Sequence, residues 1–237
     1  MIRSEDRFIR SRMVLGEENM AKLAISSVAV FGLGGVGGPA AEALARSGVG
    51  KLYLIDGDTV ALSNINRQII AFESTVGRYK TQVMMERIKD IDPAIEVVTF
   101  ERFLRAGEED VFPFDSFDYV IDAIDTVSAK VWLAEKTFSM NIPIISSMGM
   151  GNRIDPTAIR LTDVFLTSGC PLARTMRREL KLRGVSELKV VFSDEIPAKV
   201  AQGERVPGSV SFVPPVAGYI LAGEAVRCLI GQGKRKK

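Results

Sequence analysis

With 237 residues, 46% of them hydrophobic and 25% charged, the chain can bury a sizeable core, and an α/β sheet of this size is expected as one domain spanning residues 1–237. Histidine is absent and the two cysteines, Cys170 and Cys228, lie far apart with no C-x-x-C pair, which excludes a histidine base, a zinc knuckle and a disulfide framework. The net charge of +2 is uneven: Lys234 to Lys237 carries +4 and Arg174 to Arg183 another +4, leaving about −6 for the rest.

In chain order, the first residues are charged and lack the apolar core of a secretory signal. Glu17 to Ala24 reads as a helix leading into an apolar strand, Val28 to Phe31, which runs into the glycine turn Gly32 to Gly38 and a helix over Pro39 to Arg46. Lys51 to Asp56 is a second strand ending in a carboxylate, so the three elements form a βαβ unit. After a polar loop to Gln68, Val76 to Ile91 is predicted helical and stopped by Asp92-Pro93. Strands are expected at Ile95 to Phe100, Phe117 to Asp122 and Asn141 to Ser147, with a helix over Ser128 to Met140 before the last of them. This alternation predicts a doubly wound, mostly parallel Rossmann-like sheet.

Beyond Gly149 the rhythm changes into a C-terminal extension. A short strand pair is expected within Ile154 to Thr162, a helix over Pro171 to Leu182, a strand at Leu188 to Ser193 and a mobile polar loop from Asp194 to Pro207. Pro214 to Ile230 reads as a helix with an apolar face through Val216, Ile220, Leu221, Ala225, Cys228 and Leu229. The longest apolar run, Val213 to Gly223, is about half of a roughly 20-residue membrane span and contains two prolines. No membrane association and a cytoplasmic location are therefore expected.

The chemistry begins at Gly32, Gly34 and Gly37, which match G-x-G-x-x-G. Glycines there let the backbone approach a pyrophosphate, and the following helix offers free N–H groups and a positive dipole end. Asp56, 19 residues after Gly37, stands where an acid hydrogen-bonds ribose. These features alone suit any nucleotide. Arg67 and Lys80 go further, because fixed cations at the phosphate end stabilise a departing pyrophosphate, whereas a dehydrogenase has no need of them.

Four ordered motifs carry a resemblance: G-x-G-G-V-G, which includes Gly35; D-x-D-x-V-x-x-S-N-x-x-R-Q from Asp56 to Gln68; G-x-x-K ending at Lys80; and D-x-x-D from Asp122 to Asp125. Together they are similar to the ubiquitin-activating-enzyme-like adenylyltransferases, which include the molybdopterin- and thiamine-biosynthesis activators. The resemblance implies an ATP site lined by Asp58, Ser63, Asn64, Arg67 and Gln68, with Asp56 on ribose and Lys80 on phosphate. It further implies Asp125 as the Mg²⁺ ligand with Asp122 nearby, and a homodimer in which Arg10, from Arg7-Phe8-Ile9-Arg10, reaches the neighbour's site.

Within that superfamily the chain most resembles the tRNA threonylcarbamoyladenosine dehydratases, through Ala41 to Arg46, Asn64 to Gln68, Val120 to Asp125, Gly151 to Thr157 and Pro171 to Ala173. That branch implies ATP-dependent adenylation and cyclising dehydration of a carboxylate on a tRNA substrate, and allows a sulfur-transfer or electron-donor partner protein. Activation of a ubiquitin-like or sulfur-carrier protein is the alternative, disfavoured by the missing zinc-binding cysteine pairs. The basic helix face of Arg174, Arg177, Arg178 and Lys181 is a candidate tRNA contact. Cys228, on an apolar helix face, is read as core, whereas the role of Cys170, in a loop near the active-site side, stays open, with a catalytic thiol the less favoured reading.

Overall fold

The computed structural model describes residues 6–105, 107, 111–199 and 207–232. The chain begins with α1 (Ile9–Leu15) and α2 (Glu17–Ile25), then β1 (Ser27–Phe31), α3 (Gly37–Arg46) and β2 (Lys51–Ile55). It continues through α4 (Lys80–Ile91), β3 (Glu96–Phe100), β4 (Tyr119–Asp122), α5 (Val127–Ser139) and β5 (Ile144–Ser147). The last elements are β6 (Ile159–Asp163), α6 (Pro171–Leu182), β7 (Lys189–Ser193) and α7 (Val213–Leu229). Among the described residues no helix is long and apolar enough to cross a membrane.

The seven strands form one sheet in the order β3-β2-β1-β4-β5-β7-β6, parallel except for β6 against β7. The order reverses between β1 and β4, so their carboxyl ends diverge into a crevice, the place where open α/β sheets take ligands. The central strands are apolar on both faces because helices cover both. From β1, Val28 and Val30 join the core under α3, α4 and α7, while Ala29 and Phe31 point to the opposite layer. There Phe31, Phe112, Phe114 and Phe117 pack edge-on and stacked, with Tyr53 and Phe117 at 4.9 Å between ring centroids.

Three expectations are corrected. Arg10 lies on the short helix α1, ahead of the helix expected from Glu17; α1 buries no residue, so it has no apolar stripe to read. The fourth helix starts at Lys80 rather than Val76, because residues 76–79 pair back on the preceding loop: Gly77 N donates to Val60 O, Val60 N to Arg78 O, and Thr59 bridges Tyr79. The segment Ile154 to Thr162 holds no strand pair; its one strand, β6, pairs with β7. Of the loop expected to be mobile, residues 200–206 lie outside the described residues, as does the tail from Lys234.

The last helix closes the fold beside the glycine turn. A Cβ on Gly218 would stand 2.2 Å from the Val36 carbonyl oxygen, and one on Gly35 would stand 3.1 Å from the Pro214 side chain, so α7 lies backbone to backbone on the start of α3.

Candidate active site

The carboxyl ends of β1, β2 and β4 open into a cleft of about 590 Å³. Its floor is the glycine turn. Gly32 sits at φ +88°, where a Cβ would also meet the Ala123 carbonyl at 2.7 Å, and a Cβ on Gly37 would fall 1.8 Å from the Gly32 oxygen. Strand, turn and helix can be this tightly coupled only with glycine at both positions. Gly34 and Gly35 face the cleft itself.

Asp56 anchors the turn from β2. Its carboxylate accepts from Leu33 N at 2.6 Å and from Asp58 N at 2.8 Å. Burial pushes its pKa above the ordinary carboxylate value, although the Lys80 charge and the two backbone donors pull the other way. Lys80 is 5% exposed and its ammonium donates to Asp58 at 2.8 Å. The pairing of residues 58–60 with 77–80 delivers that lysine to the cleft: Lys80 N also donates to Asp58 O at 3.1 Å.

The far wall comes from the loop after Val60. A 3₁₀ turn over Leu62–Asn64 precedes Arg67, whose Nη1 donates to Ser63 O at 3.0 Å and to Asn66 Oδ1 at 2.9 Å. Asn64, Arg67 and Gln68 line the cleft. Gln68 Oε1 is buried there without a partner among the described residues, an acceptor available to a ligand.

Asp125 is exposed at the mouth, after the turn that leaves β4. Asp122 stands behind it and does not line the cleft. Fully buried, it accepts from Lys130 Nζ at 2.8 Å, Ser146 Oγ at 2.5 Å and Ile124 N at 3.1 Å, while Lys130 also donates to Ile124 O at 3.1 Å. The pair thus pins the turn that presents Asp125. Gly37, Ser63 and Arg10 also lie off the cleft wall: Gly37 packs under the turn, Ser63 offers its carbonyl to Arg67, and Arg10 is exposed on α1.

Sequence reasoning missed Lys130 and Ser146, whose motif-free positions become informative only once β4, α5 and β5 are adjacent. It also missed Arg102, Phe103, Leu104 and Arg105, which close the cleft beyond β3. Their position after a strand next to β2 was the available signal, since ligands gather at that edge of the sheet.

A glycine turn at the carboxyl ends of the strands, with Asp56, Arg67, Lys80 and Asp125 gathered around one cleft, fits a Rossmann-like nucleotide-binding protein of the adenylyltransferase class. The chain belongs to the ThiF family, whose model matches residues 7–237. It is 40% identical over 240 residues to a tRNA threonylcarbamoyladenosine dehydratase of Bacillus subtilis (strain 168), covering 94% of each chain. Among solved structures it is similar to the E. coli tRNA N6-threonylcarbamoyladenosine dehydratase TcdA in complex with AMP, with a TM-score of 0.89, 33% identity and 98% of each chain covered. The same E. coli protein in complex with ATP gives a TM-score of 0.86 at 34% identity over all of both chains.

Proposed function

We propose that the protein is an ATP-dependent tRNA threonylcarbamoyladenosine dehydratase, which adenylates the threonyl carboxylate of the modified adenosine beside the anticodon and closes it into a ring. The observation that carries this reading is the convergence of Arg67, Lys80 and Asp125 on one cleft floored by the glycine turn. The names of the relatives and the nucleotides in the similar structures support it.

In this reading Asp56 accepts hydrogen bonds from ribose, and Gly32 to Gly37 with the start of α3 hold the phosphates. A carboxylate oxygen of the tRNA attacks the α-phosphorus, the bond to the α–β bridging oxygen breaks, and Arg67 and Lys80 meet the charge of the departing pyrophosphate. An atom of the same threonyl side chain then attacks the acyl carbon and expels AMP. No protein nucleophile is required, and Cys170 is buried among apolar neighbours. Asp125 fits Mg²⁺ by the chemistry of its donors: one exposed carboxylate, with no cluster of three or more ligating side chains among the described residues, suits a hard cation held mainly by phosphate and water. The metal would supply charge neutralisation of the triphosphate.

A homodimer in the cytoplasm completes the proposal. Arg10 is exposed on a helix that also displays Met13 at 69% and Val14 at 83% exposure, an apolar face suited to a second copy. The test is mass spectrometry of nucleosides from tRNA incubated with enzyme and ATP. Loss of one water from threonylcarbamoyladenosine is expected; ATP–pyrophosphate exchange that depends on a carrier protein and not on tRNA would overturn the assignment.

A further inference from the structure

One strand along the sheet from Asp125, β5 continues into Met148-Gly149, and Arg153 folds back beneath this segment. Its side chain is buried, at 5% exposure. Nη1 donates to the carbonyls of Gly149 and Gly151, whereas Nε and Nη2 are buried without a hydrogen-bond partner among the described residues. Those two nitrogens form the side-on edge of the guanidinium, the edge whose parallel N–H groups match the two oxygens of a carboxylate.

The group is also held in place. Asn152, at φ +57°, donates from its N to Gly208 O at 2.8 Å, accepts at its O from Ala198 N at 2.7 Å, and accepts at Oδ1 from Gly208 N at 2.6 Å. The carboxylates on this turn are committed elsewhere: Glu195 to the Ile154 and Asp155 amides, and Asp155 to Thr157. A buried cation with a free fork and no ion pair among the described residues is costly unless an anion arrives to complete it. Gly149 places the site beside the first turn of α6, since a Cβ there would lie 3.9 Å from Arg153 Nη1 and 4.0 Å from Leu172 Cβ.

We infer that Arg153, caged at the carboxyl end of β5, receives the carboxylate of the acceptor through its free Nε and Nη2 edge and holds it for transfer to the nucleotide cleft. This rests on the proposed dehydratase reading. A carboxylate is favoured over an RNA phosphate because it is carried on the tip of a side chain and needs less room to reach two buried nitrogens. A phosphodiester brings a ribose on each side.

The test uses the full chain and two probes, threonylcarbamoyladenosine nucleoside, which has the carboxylate and no phosphate, and an unmodified anticodon stem-loop, which has the reverse. Arg153→Lys and Arg153→Gln should each weaken binding of the nucleoside and of modified tRNA by about 10- to 100-fold, the loss of a charged fork. Affinity for ATP and for the unmodified stem-loop should stay at wild-type values. In wild type, the ¹⁵Nε–¹H resonance that vanishes in Arg153→Lys should shift when the nucleoside is added, a readout independent of folding in the variants. A resonance unmoved by the nucleoside, or wild-type nucleoside affinity in both variants, overturns the inference and makes Arg153 a water-satisfied strut for its loop. A shift with the unmodified stem-loop alone overturns it in favour of a phosphate. Should wild type shift with the nucleoside yet fail to dehydrate modified tRNA, the carboxylate site stands and the dehydratase reading falls.

Discussion

Lys130 has no exposed surface and no place in any motif, yet its ammonium ties Asp122 to the Ile124 carbonyl in the turn that leads to Asp125. Replacing it by methionine would leave Asp122 buried beside Ser146 without its cation, at a cost of about 3–5 kcal/mol, to be read from urea unfolding. Activity should fall further than unfolding explains, because the Ile124 carbonyl loses its tie as well. Asp56 gives a second test. Its pKa is raised above 3.8 by burial, so ATP affinity should start to fall on acidification while ordinary surface carboxylates are still ionised, and Asp56→Asn should abolish that pH dependence. The same shift favours the folded state at low pH: the proton is bound more tightly in the folded chain, so this contribution is lost as pH rises from 3.8 through the raised value. At this scale the motif residues gathered round the cleft, Asp56, Asn64, Arg67, Gln68, Lys80 and Asp125, were legible, because each motif fixes residue type and spacing. Lys130 and Ser146, which hold Asp122 behind the cleft, were not, because what a buried polar group bonds to depends on which strands become neighbours.

Helices α3 and α4 are joined through Glu42, whose carboxylate takes Arg46 Nε at 2.7 Å and Arg87 Nε at 2.5 Å. Burial alone would raise the pKa of Glu42, but the two guanidinium hydrogen bonds outweigh it and hold the group below 4.5. Its stabilising contribution is therefore complete above 4.5 and disappears as pH falls through the depressed folded value. Glu42→Gln should cost about 1–3 kcal/mol near neutrality. The melting temperatures of variant and wild type should converge in acid. Elements with strong internal signals were read correctly: α6 runs from Pro171 to Leu182 as its proline start and buried Met176 and Leu180 dictate. Those shaped by contacts distant in sequence were not. Nothing local tells that residues 76–79 prefer the Val60 loop to another turn of α4, or that β6 finds its partner beyond α6.

For the whole molecule, the open questions concern what approaches it. On α6, Arg177 turns inward to the Thr167 carbonyl and hydroxyl, so the solvent-facing basic set is Arg174, Arg178 and Lys181, with Arg178 shared by Glu179. Reversing these three to Glu should weaken tRNA binding and lower the slope of log K against log[salt] by about 0.7–0.9 for each phosphate no longer neutralised, with ATP affinity unchanged. Binding titrations at several salt concentrations decide this, and a wild-type slope would make the helix a solvated face. The proposed dimer is checked by mixing Arg10→Ala with Asp125→Asn after subunit exchange has been demonstrated. Partial recovery of activity is expected, since one site of each mixed dimer then has both groups.

The close approach of Gly218 to Val36 has a consequence for how the protein is made. A ribosome releases the strand, turn and α3 long before it releases α7, so an unfinished chain already has every residue of the glycine turn but lacks the wall against which that turn is pressed. A chain without α7 is therefore expected to hold the glycine turn less firmly and to bind ATP more weakly than one that includes it, although every cleft-lining residue is present in both.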